Sequence, residues 1–254
     1  MDDQALFGRI DTQLRALHLP GALESYRHLS EPLTAPQEAM TFLSAILASE
    51  LDSRELHRYA RNLRAAKFPV LKELGAFDFT ALPSLSKAKL EDLASCRFIP
   101  ASETVLFVGN PGTGKTHLLI ALGLEAIRRG YRVRFVTAAA LVNELLLARA
   151  ELRVPKLLRQ YAAFDLVLID ELGYVPFSRE AAQLLFEFFS DRYERRAVAL
   201  TTNLPFAKWP QVFLDEMMTV ALLDRLTHRS HLLLCNGESY RLRQSRPTTG
   251  TPTR

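Results

Sequence analysis

Between residues 105 and 119 the chain reads VLFVGNPGTGKTHLL, and the residue types in it suit the binding of a polyphosphate. Gly109, Asn110, Pro111, Gly112, Thr113, Gly114, Lys115 and Thr116 satisfy G-x-x-x-x-G-K-[ST]. Glycines let such a loop fold so that backbone amides and a helix N-terminus face an anion. Lys115 would reach the outer phosphates and Thr116 would ligate magnesium, with His117 next on the helix. A second group closes the apolar run LVLIDE at Asp170 and Glu171. There Asp170 would support the magnesium, and Glu171 would polarise a water for attack on the γ-phosphate. Asn203, at the end of VALTTN, could help place that water, with Thr202 as the weaker candidate. Arg225, in LLDRLTHRSH, could neutralise transition-state charge if a neighbouring subunit supplied it, or could simply pair with Asp224.

These residues need a scaffold that brings strand ends together. From Glu103 onward, short apolar runs alternate with helical ones: TVLFV, RVRFV, LVLID, AVALTTN and HLLLC. Five such runs separated by helices predict a parallel α/β sheet covered on both faces. The motif Gly109 to Thr116 follows the first predicted strand and opens a predicted helix, which is the context its chemistry requires. Ahead of it, ALFGRIDTQLRALHL and the stretch from Ala35 to Phe68 have helical spacing, broken at Pro20-Gly21. The chain therefore reads as a helical N-terminal domain over 1–69, a connector over 70–102, an ATPase-like domain over 103–243 and a polar tail over 244–254.

Composition narrows the class. The chain has 254 residues, 48% of them hydrophobic, with a net charge of +4. It has no apolar run of about 18 residues and no basic-then-apolar start, so a cytoplasmic protein without membrane partners is expected. Cys96 and Cys235 form no paired motif and read as buried spectators. Charge is uneven: residues 1–50 carry −4, whereas Arg54 to Lys67 carry +4. Arg54, Arg58, Arg61 and Arg64 fall along one side of a helix, and Arg149, Arg153, Lys156 and Arg159 form a second basic group. Each is either a phosphate-contacting surface or a solvated helix face, and no base-reading motif accompanies them.

Taken in order, these elements resemble the initiator and helicase-loader branch of the AAA+ ATPases. The phrases DLVLIDELGYVPFSREAAQLLFEFFSDRYE, TTNLPFAKW, LLDRLTHRSH, GESYRLR and the front part from LRALHLPGALESY to AAKFPVLKELGAFDF are similar to IstB-type transposition helpers of insertion sequences. The resemblance implies an AAA+ core with a five-stranded parallel sheet, a small helical N-terminal domain and no C-terminal helical lid. It implies ATP and Mg2+ bound at Gly109 to Thr116 and Asp170, water activation by Glu171, Asn203 as sensor, and Arg225 acting in trans. Arg241, in ESYR, matches a sensor arginine that elsewhere sits on a helical lid. Leu204 stands where the family phrase has an arginine. The implied partners are duplex DNA bound with little sequence preference, further copies of the chain and a cognate transposase. A DnaC-type replicative helicase loader shares the core and is the alternative. A nucleotide switch with negligible turnover and a small-molecule P-loop kinase are the other classes; Glu171 with Arg225 argues against the first, and the acid pair Asp170-Glu171 without a kinase-type substrate motif argues against the second.

Overall fold

A computed structural model describes residues 3–26, 36–82, 85–174, 176–237 and 239–240. The chain divides into two compact units, Met1–Arg61 and Asn62–Arg254. The break falls earlier than the expected boundary at 69 because Asn62 already belongs to the second unit. Its side-chain amide donates to the carbonyls of Gly130 and Tyr131 at 3.2 Å each. Phe68, a little further on, packs its ring near Phe135.

The first unit contains α1 (Asp3–Ala16), α2 (Pro20–Ser25) and most of α3 (Pro36–Ala66). Ala22, Tyr26 and Ile46 are buried together with Leu14, Leu23 and Phe42 against them. A single carboxylate organises this contact. Glu50, buried on α3, accepts from the amides of Gly21 and Ala22 at 2.8 and 3.2 Å, satisfying donors that the start of α2 would otherwise leave open. Arg54 pairs with its other oxygen at 2.7 Å. Burial pushes Glu50 upward, but the Arg54 bond and the two amides outweigh it and hold the carboxyl below its ordinary value. Gly21 lets the helices meet, since a Cβ there would lie 2.7 Å from the Ser49 carbonyl oxygen.

The second unit begins with two short 3-10 turns and α4 (Lys87–Ala94), then alternates strand and helix. The elements are β1 (Thr104–Val108), α5 (Lys115–Arg128), β2 (Val133–Thr137), α6 (Ala138–Ala150), α7 (Val154–Ala162), β3 (Leu166–Leu172), α8 (Arg179–Arg192), β4 (Ala197–Thr202), α9 (Pro210–Phe213), α10 (Glu216–His228) and β5 (Ser230–Leu234). The five strands are parallel in the order β2-β3-β4-β1-β5. This is the sheet expected from the apolar runs, with ends shifted by one or two residues.

Strand alternation assigns the two faces. On β3, Leu168 faces α5, where a Cβ on Gly123 would approach Leu168 Cδ1 to 2.4 Å. Val167 and Ile169 face the other way, into a core shared with Leu145 of α6, Leu185 and Phe188 of α8 and Leu222 of α10. Arg192 at the end of α8 is buried and donates to the carbonyls of Tyr161, Phe164 and Ala197. Burial pulls its guanidinium down to about 9, so it is charged at neutral pH and ties the end of α7 to the start of β4. Cys96 and Cys235 are buried, and burial pushes both thiols up to about 11, which leaves them unreactive. Among the described residues, no helix is long and apolar enough to cross a membrane.

Candidate nucleotide site

The order β3-β4-β1 decides how the site is assembled, because β4 lies between the strand carrying the phosphate loop and the strand carrying the acid pair. Loops leaving the C-terminal ends of parallel strands converge, and ligands bind there in open α/β sheets. A cleft of about 530 Å³ opens at that edge. It takes in Pro111 to His117, Glu171 and Asn203, so these candidates for nucleotide chemistry meet in one place, together with Thr201.

The phosphate loop is shaped by close approaches. Gly109 passes so near the strand extension after β5 that a Cβ on it would lie 2.2 Å from the Cys235 carbonyl oxygen. Gly114 has φ +89° and serves as the N-cap of α5, a left-handed backbone that glycine adopts without strain. The amino end of a 14-residue helix thereby points its unpaired N–H groups into the cleft. Lys115 is buried, and its Nζ donates to the carbonyls of Gly109 and Asn110 at 2.8 and 2.6 Å. Thr113 Oγ1 donates to the Asn110 carbonyl at 2.8 Å and closes the loop.

Across the cleft, Asp170 is 5% exposed and its Oδ1 accepts two hydroxyl donors, Thr116 at 3.0 Å and Thr201 at 2.6 Å. Thr201 Oγ1 in turn accepts from the Glu171 amide at 2.9 Å. Glu171 is exposed to the cleft and has φ +61°, beside a register shift between β3 and β4. A non-glycine residue is costly in that conformation, and the bulge turns the Glu171 carboxylate out of the strand's alternation. Asn203 follows the last residue of β4 and lines the same cleft. Thr116 Oγ1 and Asp170 Oδ1 are hard oxygen donors on facing elements, a set that fits a magnesium ion completing its shell with water and phosphate oxygens.

Thr201 was not anticipated, and the weaker candidate Thr202 is a correction: it is buried, and its Oγ1 accepts from the Leu204 amide. The signal was strand parity. The register pairs Leu168 with Ala199, so Asp170 and Thr201 lie on one face with α5, while Thr202 lies on the other. Val70, Phe77 and Asp78 were read as connector, yet they line the cleft, as does Tyr240, whose amide donates to the Gly112 carbonyl at 3.0 Å. Phe77 lies against Gly114 and meets the His117 ring edge-on at 5.4 Å. His117 itself donates to the Glu73 carbonyl at 2.8 Å.

Arg225 is the residue the structure keeps apart. It lies near Thr104 and Val198, at the N-terminal ends of β1 and β4, whereas the cleft opens at their C-terminal ends. The length of β1, about 16 Å at ~3.3 Å per residue, separates the two edges. It bonds Ser190 and stacks on Phe186, and the ion pair with Asp224 does not form. Arg241 lies outside the described residues. Arg54 is committed to Glu50 and the His18 carbonyl, and Arg58 to Glu55 at 3.5 Å, while Arg61 and Arg64 are exposed. Arg149, Arg153, Lys156 and Arg159 are exposed at the end of α6 and along α7, with Arg153 paired to Glu151 at 3.0 Å.

A phosphate loop on β1, an acid pair on β3 and a polar residue on the intervening β4 define an AAA+ P-loop ATPase. Residues 12–248 match the model of the IstB-like ATP-binding protein family, and the chain belongs to that family. It is 37% identical to the ATP-binding protein assigned to insertion sequence IS5376 of Geobacillus stearothermophilus, over 94% of this chain and 95% of that one. It is also 37% identical to the corresponding protein of insertion sequence IS21 of Pseudomonas aeruginosa, over 92% of this chain and 88% of that one. Among solved structures, DnaI superposes with a TM-score of 0.54 at 17% identity, covering 64% of this chain and 90% of that one, a likeness of fold alone.

Proposed function

We propose that this chain hydrolyses ATP in a site completed by a second copy, and that the nucleotide-bound assembly holds duplex DNA for a partner transposase. The observation that carries the catalytic part is the convergence of Lys115, Thr116, Thr201 and Glu171 on one cleft, with Asp170 bonded to Thr116 and Thr201 and Arg225 at the opposite edge of the sheet. The insertion-sequence relatives supply the context for the transposase, and the exposed basic groups on α3 and α7 support contact with a phosphate backbone.

In this reading the helix amino end and the Lys115 ammonium bind the β- and γ-phosphates. Thr116 and Asp170 would hold Mg2+, which when bound neutralises charge on the phosphate oxygens. Asn203 orients a water, and the Glu171 carboxylate accepts its proton as the water oxygen bonds to the γ-phosphorus. The bond from that phosphorus to the β-bridging oxygen breaks, leaving ADP and inorganic phosphate. Thr201 fixes both acids at once, through its donated bond to Asp170 and its accepted bond from the Glu171 backbone. Arg225 of an adjoining copy stabilises the charge that develops, a contribution of roughly 10³ to 10⁵ in rate for such arginines.

Replacing Glu171→Gln should leave ATP binding intact and lower turnover by about 10² to 10⁴. Steady-state phosphate release alongside equilibrium nucleotide binding checks this, and unchanged turnover would remove Glu171 from the mechanism. The helicase-loader alternative is met by capture experiments: retention of a replicative helicase with no preference for duplex DNA would replace the transposition reading.

A further inference from the structure

Arg225 is held by neutral partners. Its Nη1 donates to Ser190 Oγ at 3.0 Å, and its guanidinium carbon lies 4.5 Å from the centre of the Phe186 ring. Both supports project from α8 four residues apart, the spacing that places side chains on one helix face. They are also linked, because Ser190 Oγ donates to the Phe186 carbonyl at 2.6 Å and so presents its lone pairs to the arginine. Among the described residues, no carboxylate forms an ion pair with Arg225. An aromatic face attracts a guanidinium without neutralising it, and a neutral hydroxyl accepts one of its five N–H donors.

We propose that Phe186 and Ser190 are positioning residues that hold the Arg225 guanidinium without a counter-charge, partly desolvated, for the nucleotide of an adjoining copy. The inference rests on the reading of Arg225 as an arginine supplied in trans. The cradle fixes the long side chain before assembly, so less rotamer freedom is lost when the second copy docks. An aspartate at 190 would form the ion pair that the serine avoids, and would take the charge away from the phosphate.

Mixed assemblies of the full chain separate the two halves of the site. Glu171→Gln donates an intact arginine but has a disabled cleft, and Arg225→Ala has an intact cleft but no arginine. Mixing them should restore hydrolysis that neither shows alone. With Ser190→Ala or Phe186→Leu added to the Glu171→Gln donor, the restored kcat should fall about 3- to 10-fold, the size of losing one ordinary hydrogen bond or one cation–π contact. The KM for ATP should stay the same, and Ser190→Thr and Phe186→Tyr should retain the rescue. The same changes placed in the Arg225→Ala partner should have no effect, a directionality that a general loss of stability would not produce. Melting temperatures of the donors accompany the assay, and if Phe186→Leu fails to fold, Ser190→Ala decides alone. Undiminished rescue by the altered donors overturns the cradle and leaves the trans arginine standing. Absence of rescue in the parental mixture overturns the trans arginine itself.

Discussion

Asp170 and Glu171 are adjacent in sequence but differ in surroundings. Asp170 is buried and accepts two hydroxyls, while Glu171 is turned into the cleft by its positive φ. Thr201 is the residue common to both. Thr201→Ala should therefore lower kcat about 10-fold while nucleotide affinity changes little, and Thr201→Ser should recover most of the loss, as judged by turnover beside equilibrium ATP binding. Equal kinetics for Thr201→Ala and the wild type would reduce Thr201 to a strand residue. The placement of Lys115, Asp170 and Glu171 around one site was legible because their spacing and strand-end context are chemically specific. Thr201 was not, because TT at a strand end names two hydroxyls and only the β3–β4 register says which one faces the acid. Phe77 was hidden for a different reason. Its place against Gly114 depends on how a segment without regular periodicity folds back over the phosphate loop.

Elements were the most readable level. β1 to β4 are largely apolar runs buried on both faces, as such runs demand, whereas the edge strand β5 leaves Leu232 and Leu234 exposed. What holds the elements to one another was less visible, since it rests on buried charges bonded to backbone. Arg192 satisfies three carbonyls at the junction of α7, α8 and β4. Arg192→Met should destabilise the second unit by about 3 kcal/mol, because those acceptors lose their partner in a dry site; denaturant unfolding measures it. Glu50 plays the matching part at the start of α2. A carboxyl whose pKa is lower folded than unfolded contributes stability above its unfolded value, near 4.5, and loses it as pH falls through the folded value. The protection of the Gly21 and Ala22 amides, their exchange rate compared with the intrinsic rate at the same pH, should fall below that pH in the wild type. Glu50→Gln should exchange faster at neutral pH with a flatter acid response. The same carboxylate pairs with Arg54, whose side chain stays 59% exposed beside it.

At the scale of the whole molecule, two features face outward: the exposed basic groups and an arginine remote from its own cleft. On the proposed reading each meets a partner outside the chain. If α3 contacts the phosphate backbone, duplex affinity should fall steeply with salt, and changing Arg58 and Arg61 to Ala should shallow that slope by about 2 in log–log terms. Arg153→Ala with Lys156→Ala makes the same test of α7, and an unchanged slope in either case identifies that group as a solvated face. The distribution of charge along the chain was plain from sequence, but a single sequence does not tell a surface for phosphates from one for water. The central claim is that hydrolysis belongs to a site shared between copies, and phosphate release from an equimolar mixture of Glu171→Gln and Arg225→Ala tests it most directly. The account predicts turnover in the mixture well above either variant alone, rising with protein concentration. A mixture no more active than its separate components, with both variants folded and binding ATP, would contradict it.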